Sequence, residues 1–285
     1  MMSSAVMTKK RKKISPGTIV LHIILILGSI IMVFPFLWTV LSSFKNLGEI
    51  FTFPPTFFPK EWVFSNFPRS FTAMPFDRAY FNSIYIAVVV TVLQLITASM
   101  AGYAFGKLKF PGHNILFPIF LATMMIPAQV VMIPIFNTMK ALGLLNTHWS
   151  IILPAALFNA FGVFLLRQFI MGLPDDLEEA AVVDGASTPR IFVQIIFPLI
   201  RSSLAAFGIF VFLGQWNNFL YPLIFLNDPK TYTVPLLLAY FKGQYATEYP
   251  LLMAGTVIAV IPVLIIYLIF QKQIIAGIAI TGMKS

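Results

Sequence analysis

The chain alternates between long stretches without any charged side chain and short stretches in which the charged residues are concentrated. A helix needs about 20 mainly apolar residues to cross the hydrocarbon of a bilayer. Six stretches free of Asp, Glu, Lys and Arg are long enough, the third counted up to its closing lysine: Ile14–Phe44, Ala79–Gly106, Phe110–Lys140, Ala141–Leu166, Ser202–Asn227 and Tyr249–Gln271. The pattern predicts an all-α polytopic membrane protein with six transmembrane helices.

The composition agrees with a membrane location. Hydrophobic residues make up 59% of the chain and charged residues 10%, whereas soluble domains contain about 45–50% and about 25% of these classes. So few charges could not cover the apolar surface of a soluble protein of 285 residues. The chain has no cysteine, which excludes disulfides, thiol catalysis and metal sites with cysteine ligands.

The basic residues predict the orientation in the membrane. Five of them form the run Lys9–Lys13, directly before the first apolar stretch, and this position favours a cytoplasmic anchor beside anionic lipid over a nucleic-acid site. With the N-terminus inside, twelve of the 19 Lys and Arg residues lie in inner segments and seven in outer segments. We therefore expect both termini in the cytoplasm, a basic cytoplasmic tail at residues 1–13 and a single transmembrane domain at residues 14–285.

The large inner loop, at about residues 168–200, contains half of the acidic residues of the chain. They are Asp175, Asp176, Glu178, Glu179 and Asp184. A charge in the middle of a membrane costs about 2.5–3.5 kcal/mol, so five of them cannot lie in lipid. The loop is predicted to be cytosolic.

The order of residues in this loop predicts two short helices. Pro174 and Asp175 are typical of a helix start, and Gly185 is typical of a left-handed helix terminator. Pro189 then favours a second helix start, and Pro198 interrupts that helix. Local chemistry leaves two interpretations open: a capped surface loop, or a docking element whose small apolar residues, Ala180–Val183, contact a soluble partner.

The run EAAVVDGASTPRIFVQIIFP resembles the EAA loop of the permeases of binding-protein-dependent importers. Residues that match the family pattern at the right spacing are Glu179, Ala180, Ala181, Gly185, Ile195 and Pro198. Phe197 stands where the family usually has leucine. The stretches Met125–Pro134 and Gln215–Leu223 resemble the sugar-uptake branch, in particular the smaller maltose-type permease, and the resemblance covers nearly the whole chain.

This resemblance implies the non-catalytic membrane subunit of a type I ABC sugar importer in a bacterial cytoplasmic membrane. The implied partners are a second permease, two ATPase subunits, an extracytoplasmic solute-binding protein, membrane lipid and a sugar, and no nucleic acid. ATP and Mg would bind to the ATPase subunits, so we expect this chain to bind no cofactor and no metal. The residues implied to couple to the ATPase are Glu179, Ala180, Ala181, Asp184, Gly185, Ile195 and Pro198.

Uncharged polar residues within the apolar stretches are the second candidate site, because buried amides without partners are unfavourable. For Gln94 and Asn159, hydrogen bonds between helices are the favoured explanation. A different role is predicted for Gln129, Gln215, Trp216, Asn217 and Asn218. Trp216, Asn217 and Asn218 would cover almost the full circumference of a helix, so some of them must face a lumen or a partner. Neutral amides beside an aromatic ring suit a sugar, and we expect these five residues to line the substrate pathway.

A self-contained secondary transporter or channel is the alternative function. It would predict charged residues in the membrane for ion coupling and commonly an inverted repeat, and the sequence shows neither. An intramembrane enzyme would need acids, histidines or a nucleophile that converge within the spans. Copurification of an ATPase would separate an importer subunit from both alternatives.

Overall fold

The computed structural model describes residues 16–73, 75–157, 159–244 and 248–282, with side chains described except at 241–244 and 272–282. The predicted basic tail, residues 1–13, lies outside this part of the chain, as do the last three residues. The α-helices, in chain order from α1 to α15, are Pro16–Ser42, Leu47–Ile50, Asn66–Ala73, Phe76–Lys107, His113–Ala122, Ala128–Ala141, Trp149–Leu157, Ala160–Met171, Asp176–Val183, Thr188–Ile191, Phe197–Leu199, Arg201–Trp216, Leu220–Phe225, Val234–Gln244 and Tyr249–Gly282. The protein is all-α in this part of the chain, as predicted.

Four of the six predicted stretches contain a described helix that is long and apolar enough to cross a membrane. Within the described residues, four satisfy length and composition alone: α1, α4, residues 149–171 (α7 with α8) and α15 up to residue 271. Two further pairs qualify only if a sharply bent pair counts as one span, which gives up to six. The chain is therefore a multi-pass membrane protein, with one bend inside the third predicted stretch and another directly before the fifth.

The first bend lies in the third predicted span. Helix α5 and a short 3₁₀ turn end at Met125, α6 begins at Ala128, and the two segments meet at 100°. Pro127 accounts for the break, because a proline disfavours helical geometry in the residue before it. Ile126 accordingly has φ −83° and ψ 116°, which is extended backbone.

The second bend separates the large loop from the fifth predicted span. Residues Phe192–Ile196 form one wide π turn before α11. The helical segment Thr188–Leu199 meets α12 at 78° across Ile200. Pro198 lacks an N–H and its ring would clash with the carbonyl of Gln194 in a regular α-helix. The π turn directly before Pro198 lets the helical segment continue through the proline to Leu199, so the break comes at Ile200, two residues after the predicted interruption.

Helix α4 lies at the centre of the bundle and contacts α7, α8, α12 and α14. A Cβ added to Gly102 would lie 3.1 Å from the backbone N of Arg167, so α4 and α8 approach closely there. About one turn earlier on α8, the ring of Phe207 from α12 fills the space beside Gly162, where an added Cβ would lie 2.1 Å from the Phe207 Cζ. These close approaches fix the three helices against one another.

Candidate functional site

The first candidate site is α9 and the turn that ends it. The N–H of Gly185 donates to the carbonyl of Val182 at 3.0 Å, and the N–H of Ala186 donates to the carbonyl of Ala181 at 2.9 Å. These two bonds form a Schellman motif. Gly185 has φ +76°, a left-handed conformation that glycine adopts without steric cost. The predicted role of Gly185 as a helix terminator is confirmed.

The two faces of α9 differ in exposure. Glu179, Ala180 and Asp184 are exposed, and two apolar residues lie beside them, Val182 at 61% and Val183 at 87% relative exposure. In contrast to the sequence prediction, Ala181 is buried at 8%, because its position on the helix turns it towards the bundle with Glu178. The exposed face therefore combines acidic residues with apolar ones and is open to a partner.

The buried face of α9 is joined to the end of α4. Tyr103 donates from its hydroxyl to Glu178 Oε2 at 2.9 Å. Lys107 donates to the carbonyl of Leu173 at 2.8 Å, forms a salt bridge with Asp175, and lies 3.7 Å from Glu178 Oε1. The Lys107 side chain is only 8% exposed. By hydrogen bond and by charge, its ammonium holds the pKa of the Asp175 carboxyl below the ordinary value.

The sequence analysis missed this connection. A weak signal was available: Lys107 is the first charged residue after the second apolar stretch, and the acids of the large loop offered it partners. The pairing joins positions 68 or more residues apart in the sequence. Only the packing of α4 against α8 brings them together.

The remaining predicted coupling residues lie beyond the glycine turn. Ile195 is half-buried in the π turn, and Pro198 is exposed in α11. Ile191 and Ile196, on the same segment, are buried in the core of the bundle. The second half of the loop is therefore packed on the membrane bundle, and it leads into the bend before α12.

The second candidate site is a cavity of 790 Å³ between α4, the bent α5–α6 pair, α7 and the end of α12. Its polar lining residues are Gln94, Thr123, Thr138, Gln215, Asn218 and Tyr221. The remaining lining residues are apolar, and no charged residue of the described chain is among them. The cavity can offer hydrogen bonds and one phenol ring to a ligand without any formal charge.

Gln94 joins this cavity to a network between helices. Its Nε2 donates to the carbonyl of Ala155 at 2.7 Å, and its Oε1 accepts from Asn159 Nδ2. Asn159 Oδ1 accepts from the N–H of Gly162 at 2.7 Å and so caps α8. The predicted hydrogen bonding between helices by Gln94 and Asn159 is confirmed. Gln94 also lines the cavity, which the sequence analysis did not predict.

The structure separates the five residues predicted to line a pathway. Gln215 and Asn218 line the cavity, with Asn218 Nδ2 and Gln215 Oε1 3.4 Å apart. Gln129 and Asn217 are exposed and lie outside the cavity lining. Trp216 is buried at 3% in the core, where its Nε1 donates to the carbonyl of Ala259 at 3.2 Å and its ring packs on Tyr80.

Trp216 does not line the cavity because its indole packs between α4 and α15 in the core. The assumption that the helix continues through Asn218 was also wrong. In the structure α12 ends at Trp216, and Asn217 caps it. The Asn217 side chain donates back to the carbonyl of Leu213 at 2.9 Å, as asparagine often does where a helix stops. The break turns Asn218 towards the cavity and leaves Trp216 facing α4 and α15.

Comparison with known proteins identifies the family. Residues 94–279 match the family described as binding-protein-dependent transport system inner membrane component. The chain is 38% identical to the arabinooligosaccharides transport system permease protein AraQ of Halalkalibacterium halodurans, over 89% of this chain and 92% of that protein. It is 35% identical to the diacetylchitobiose uptake system permease protein NgcG of Streptomyces coelicolor, over 90% and 86% of the two chains.

A third relative is the lactose transport system permease protein LacG of Rhizobium radiobacter, which is 35% identical over 95% of this chain and 97% of that protein. Among solved structures, the chain is similar to one chain of a bacterial ABC transporter involved in the import of the acidic polysaccharide alginate. That match has a TM-score of 0.80 and 25% identity, and it covers 92% of this chain and 99% of the other. The chain therefore belongs to the family of binding-protein-dependent transport system inner membrane components.

Proposed function

We propose that this chain is the membrane-spanning permease subunit of an ATP-driven importer, and that its substrate is a sugar or oligosaccharide delivered by an extracytoplasmic binding protein. It would pair with a second, similar permease and with two ATPase subunits that bind ATP and Mg. Three relatives are permease proteins of systems that transport arabinooligosaccharides, diacetylchitobiose and lactose, and they support a sugar substrate. Membership of the family supports this function over a self-contained transporter or channel.

The observation that carries the choice of substrate is the cavity lining. Amides, hydroxyls and one tyrosine surround a space of 790 Å³, and the remaining lining is apolar. A sugar offers hydroxyl groups to amides and C–H faces to aromatic and apolar surfaces, and it usually bears no charge. Each hydrogen bond to an uncharged hydroxyl contributes about 0.5–1.5 kcal/mol, which suits a route that must release its substrate. We therefore expect a neutral sugar to contact Gln94, Gln215, Asn218 and Tyr221.

The exposed face of α9 is the proposed contact with an ATPase subunit. This face and the turn beside it contain Glu179, Ala180, Asp184 and Gly185. Val182 and Val183 add two exposed apolar side chains. In this proposal α9 and both termini lie in the cytoplasm. Ile195 and Pro198 shape the segment that joins the turn to α12.

Transport then depends on two states of the bundle. A partner can shift a two-state equilibrium only as far as its affinities for the two states differ. Closure of the ATPase pair on ATP would move α9 and favour the state open to the outside, and release after hydrolysis would favour the state open to the inside. This chain catalyses no covalent step and acts as the moving membrane element.

Reconstitution tests this function. The chain, expressed with its neighbouring transport subunits, is purified in detergent and inserted into vesicles with ATP inside and a loaded binding protein outside. We expect an ATPase to copurify and sugar uptake to require both ATP and the binding protein, with neutral sugars preferred across a panel. Uptake by the chain alone, driven by an ion gradient, would overturn the proposal in favour of the self-contained transporter.

A further inference from the structure

Two structural routes lead from α9 to the cavity, and they differ in stiffness. One passes through the second half of the loop into α12, and it contains the Gly185 turn, a π turn and the 78° bend at Ile200. The other passes directly from α9 to α4 through Lys107 and Tyr103. Movement of α9 is transmitted with less loss through the route that contains fewer breaks.

Helix α4 is continuous over its 32 residues and contains no proline. Lys107 is its last residue, and Gln94, which lines the cavity, lies on the same helix. At 1.5 Å per residue these two positions are about 20 Å apart along the axis. A displacement of the Lys107 end is thus carried to Gln94 by a single uninterrupted helix. Gln94 in turn is bonded to Ala155 on the neighbouring α7 and to Asn159 at the start of α8.

The contact between α4 and α9 is costly to break because its partners are largely removed from water. The Lys107 side chain is 8% exposed and the Glu178 side chain 17% exposed. Glu178 Oε1 is buried without a hydrogen bond, and Lys107 Nζ, 3.7 Å away, supplies its compensating charge. Hydrogen bonds to charged groups are stronger than neutral ones, and a buried carboxylate that loses its cation is strongly destabilised.

We propose that Tyr103, Lys107 and Glu178 form a latch that fixes α9 to the end of α4, so that α4 is the rod by which movement of α9 reaches the cavity. The proposal rests on the function proposed above and adds three positioning residues to it. Asp175 strengthens the latch from the solvent side, since its exposed carboxylate pairs with the same ammonium. These three residues keep their contacts in both states of the transport cycle, so α9 and α4 move together relative to the other helices.

The test compares Lys107→Met with Lys109→Met, which removes a nearby exposed lysine that makes no ion pair within the described residues. Hydrogen exchange of residues 176–183 is first measured in the purified permease. Because the latch contributes bonds to charged groups, Lys107→Met should accelerate this exchange about tenfold or more. Lys109→Met removes only a more distant charge that acts on Asp175, so it should accelerate the exchange far less. Tyr103→Phe, which removes one hydroxyl, should accelerate it less and keeps the test open if Lys107→Met does not fold.

The second measurement is sugar uptake per ATP hydrolysed by the complete complex in vesicles. The Lys107→Met and Tyr103→Phe variants should still assemble with the ATPase, hydrolyse ATP and take up several-fold less sugar per ATP, and Lys107→Arg should restore the ratio. Faster exchange with an unchanged ratio would show a latch that transmits nothing, and unchanged exchange would show no latch; either result overturns the proposal. If the unaltered complex took up no sugar, the proposed function would fail first, and the exchange measurement would still report on the latch.

Discussion

Substitution of Gly185 by alanine perturbs the backbone of the turn after α9 without changing any side-chain contact. A Cβ at this position would meet no atom within 4 Å, so the substitution creates no clash. Its whole effect comes from the backbone, since φ is +76° and a left-handed conformation costs an L-residue about 1–2 kcal/mol. That free energy corresponds to a factor of about 5–30 in an equilibrium. Gly185→Val should exceed it because valine is β-branched.

The chain contains a matched control at the opposite end of the bundle. Gly143 ends α6 with φ +69°, and an added Cβ would again meet nothing within 4 Å. Its turn has the same pair of hydrogen bonds, from Gly143 to Lys140 at 3.0 Å and from Leu144 to Met139 at 2.9 Å. Gly143→Ala therefore introduces the same backbone strain without touching α9.

The assay is the affinity of the purified permease for its ATPase partner, together with sugar uptake normalised to the amount of permease. We expect Gly185→Ala to weaken ATPase binding by about 5–30-fold and to lower uptake, while Gly185→Asn has a smaller effect because asparagine tolerates this conformation. Gly143→Ala should leave ATPase binding unchanged. Equal effects of Gly185→Ala and Gly143→Ala would show that the turn has no special role in coupling.

Two further predictions concern orientation and substrate. Because the chain has no native cysteine, single introduced cysteines report on topology directly. A cysteine at Thr188 should be protected from a membrane-impermeant thiol reagent in intact cells, and one at Asn227 should react. The reverse result would exclude a cytoplasmic α9. Asn218→Ala should reduce uptake several-fold and change the ratio between two sugars of different size, because one hydrogen bond to an uncharged hydroxyl contributes about 0.5–1.5 kcal/mol. An unchanged ratio would place the substrate route elsewhere.

The sequence predicted the membrane helices and the local structure of α9 because both depend on local physics. Charged residues are excluded from the hydrocarbon, so they mark where each span ends. The order of acids, small residues and Gly185 specifies a short helix with a left-handed terminator. The bends were harder to predict from the sequence, although Pro127 in the third apolar stretch could have indicated the first one.

The parts that could not be predicted depend on contacts between distant segments. Which face of α12 Trp216 occupies is decided by the break at Asn217 and by the packing of Tyr80 and Phe212 around the indole. The inward position of Ala181 follows from the anchoring of Glu178 by α4. A pattern of hydrophobic and polar positions shows which residues a helix buries only when its polar face is uniform, and α9 has an acid on its buried side.

Site-specific photo-crosslinking from α9 tests most directly whether this helix contacts an ATPase. A photoreactive residue replaces Val183, which is 87% exposed on α9, and, in a control variant, Leu142, which is 57% exposed at the other end of the bundle. In membranes that contain the whole transport system, illumination should join the Val183 position to a nucleotide-hydrolysing subunit, and the Leu142 position should not capture that subunit. Capture of the ATPase from Leu142 and not from Val183 would contradict the proposed coupling through α9.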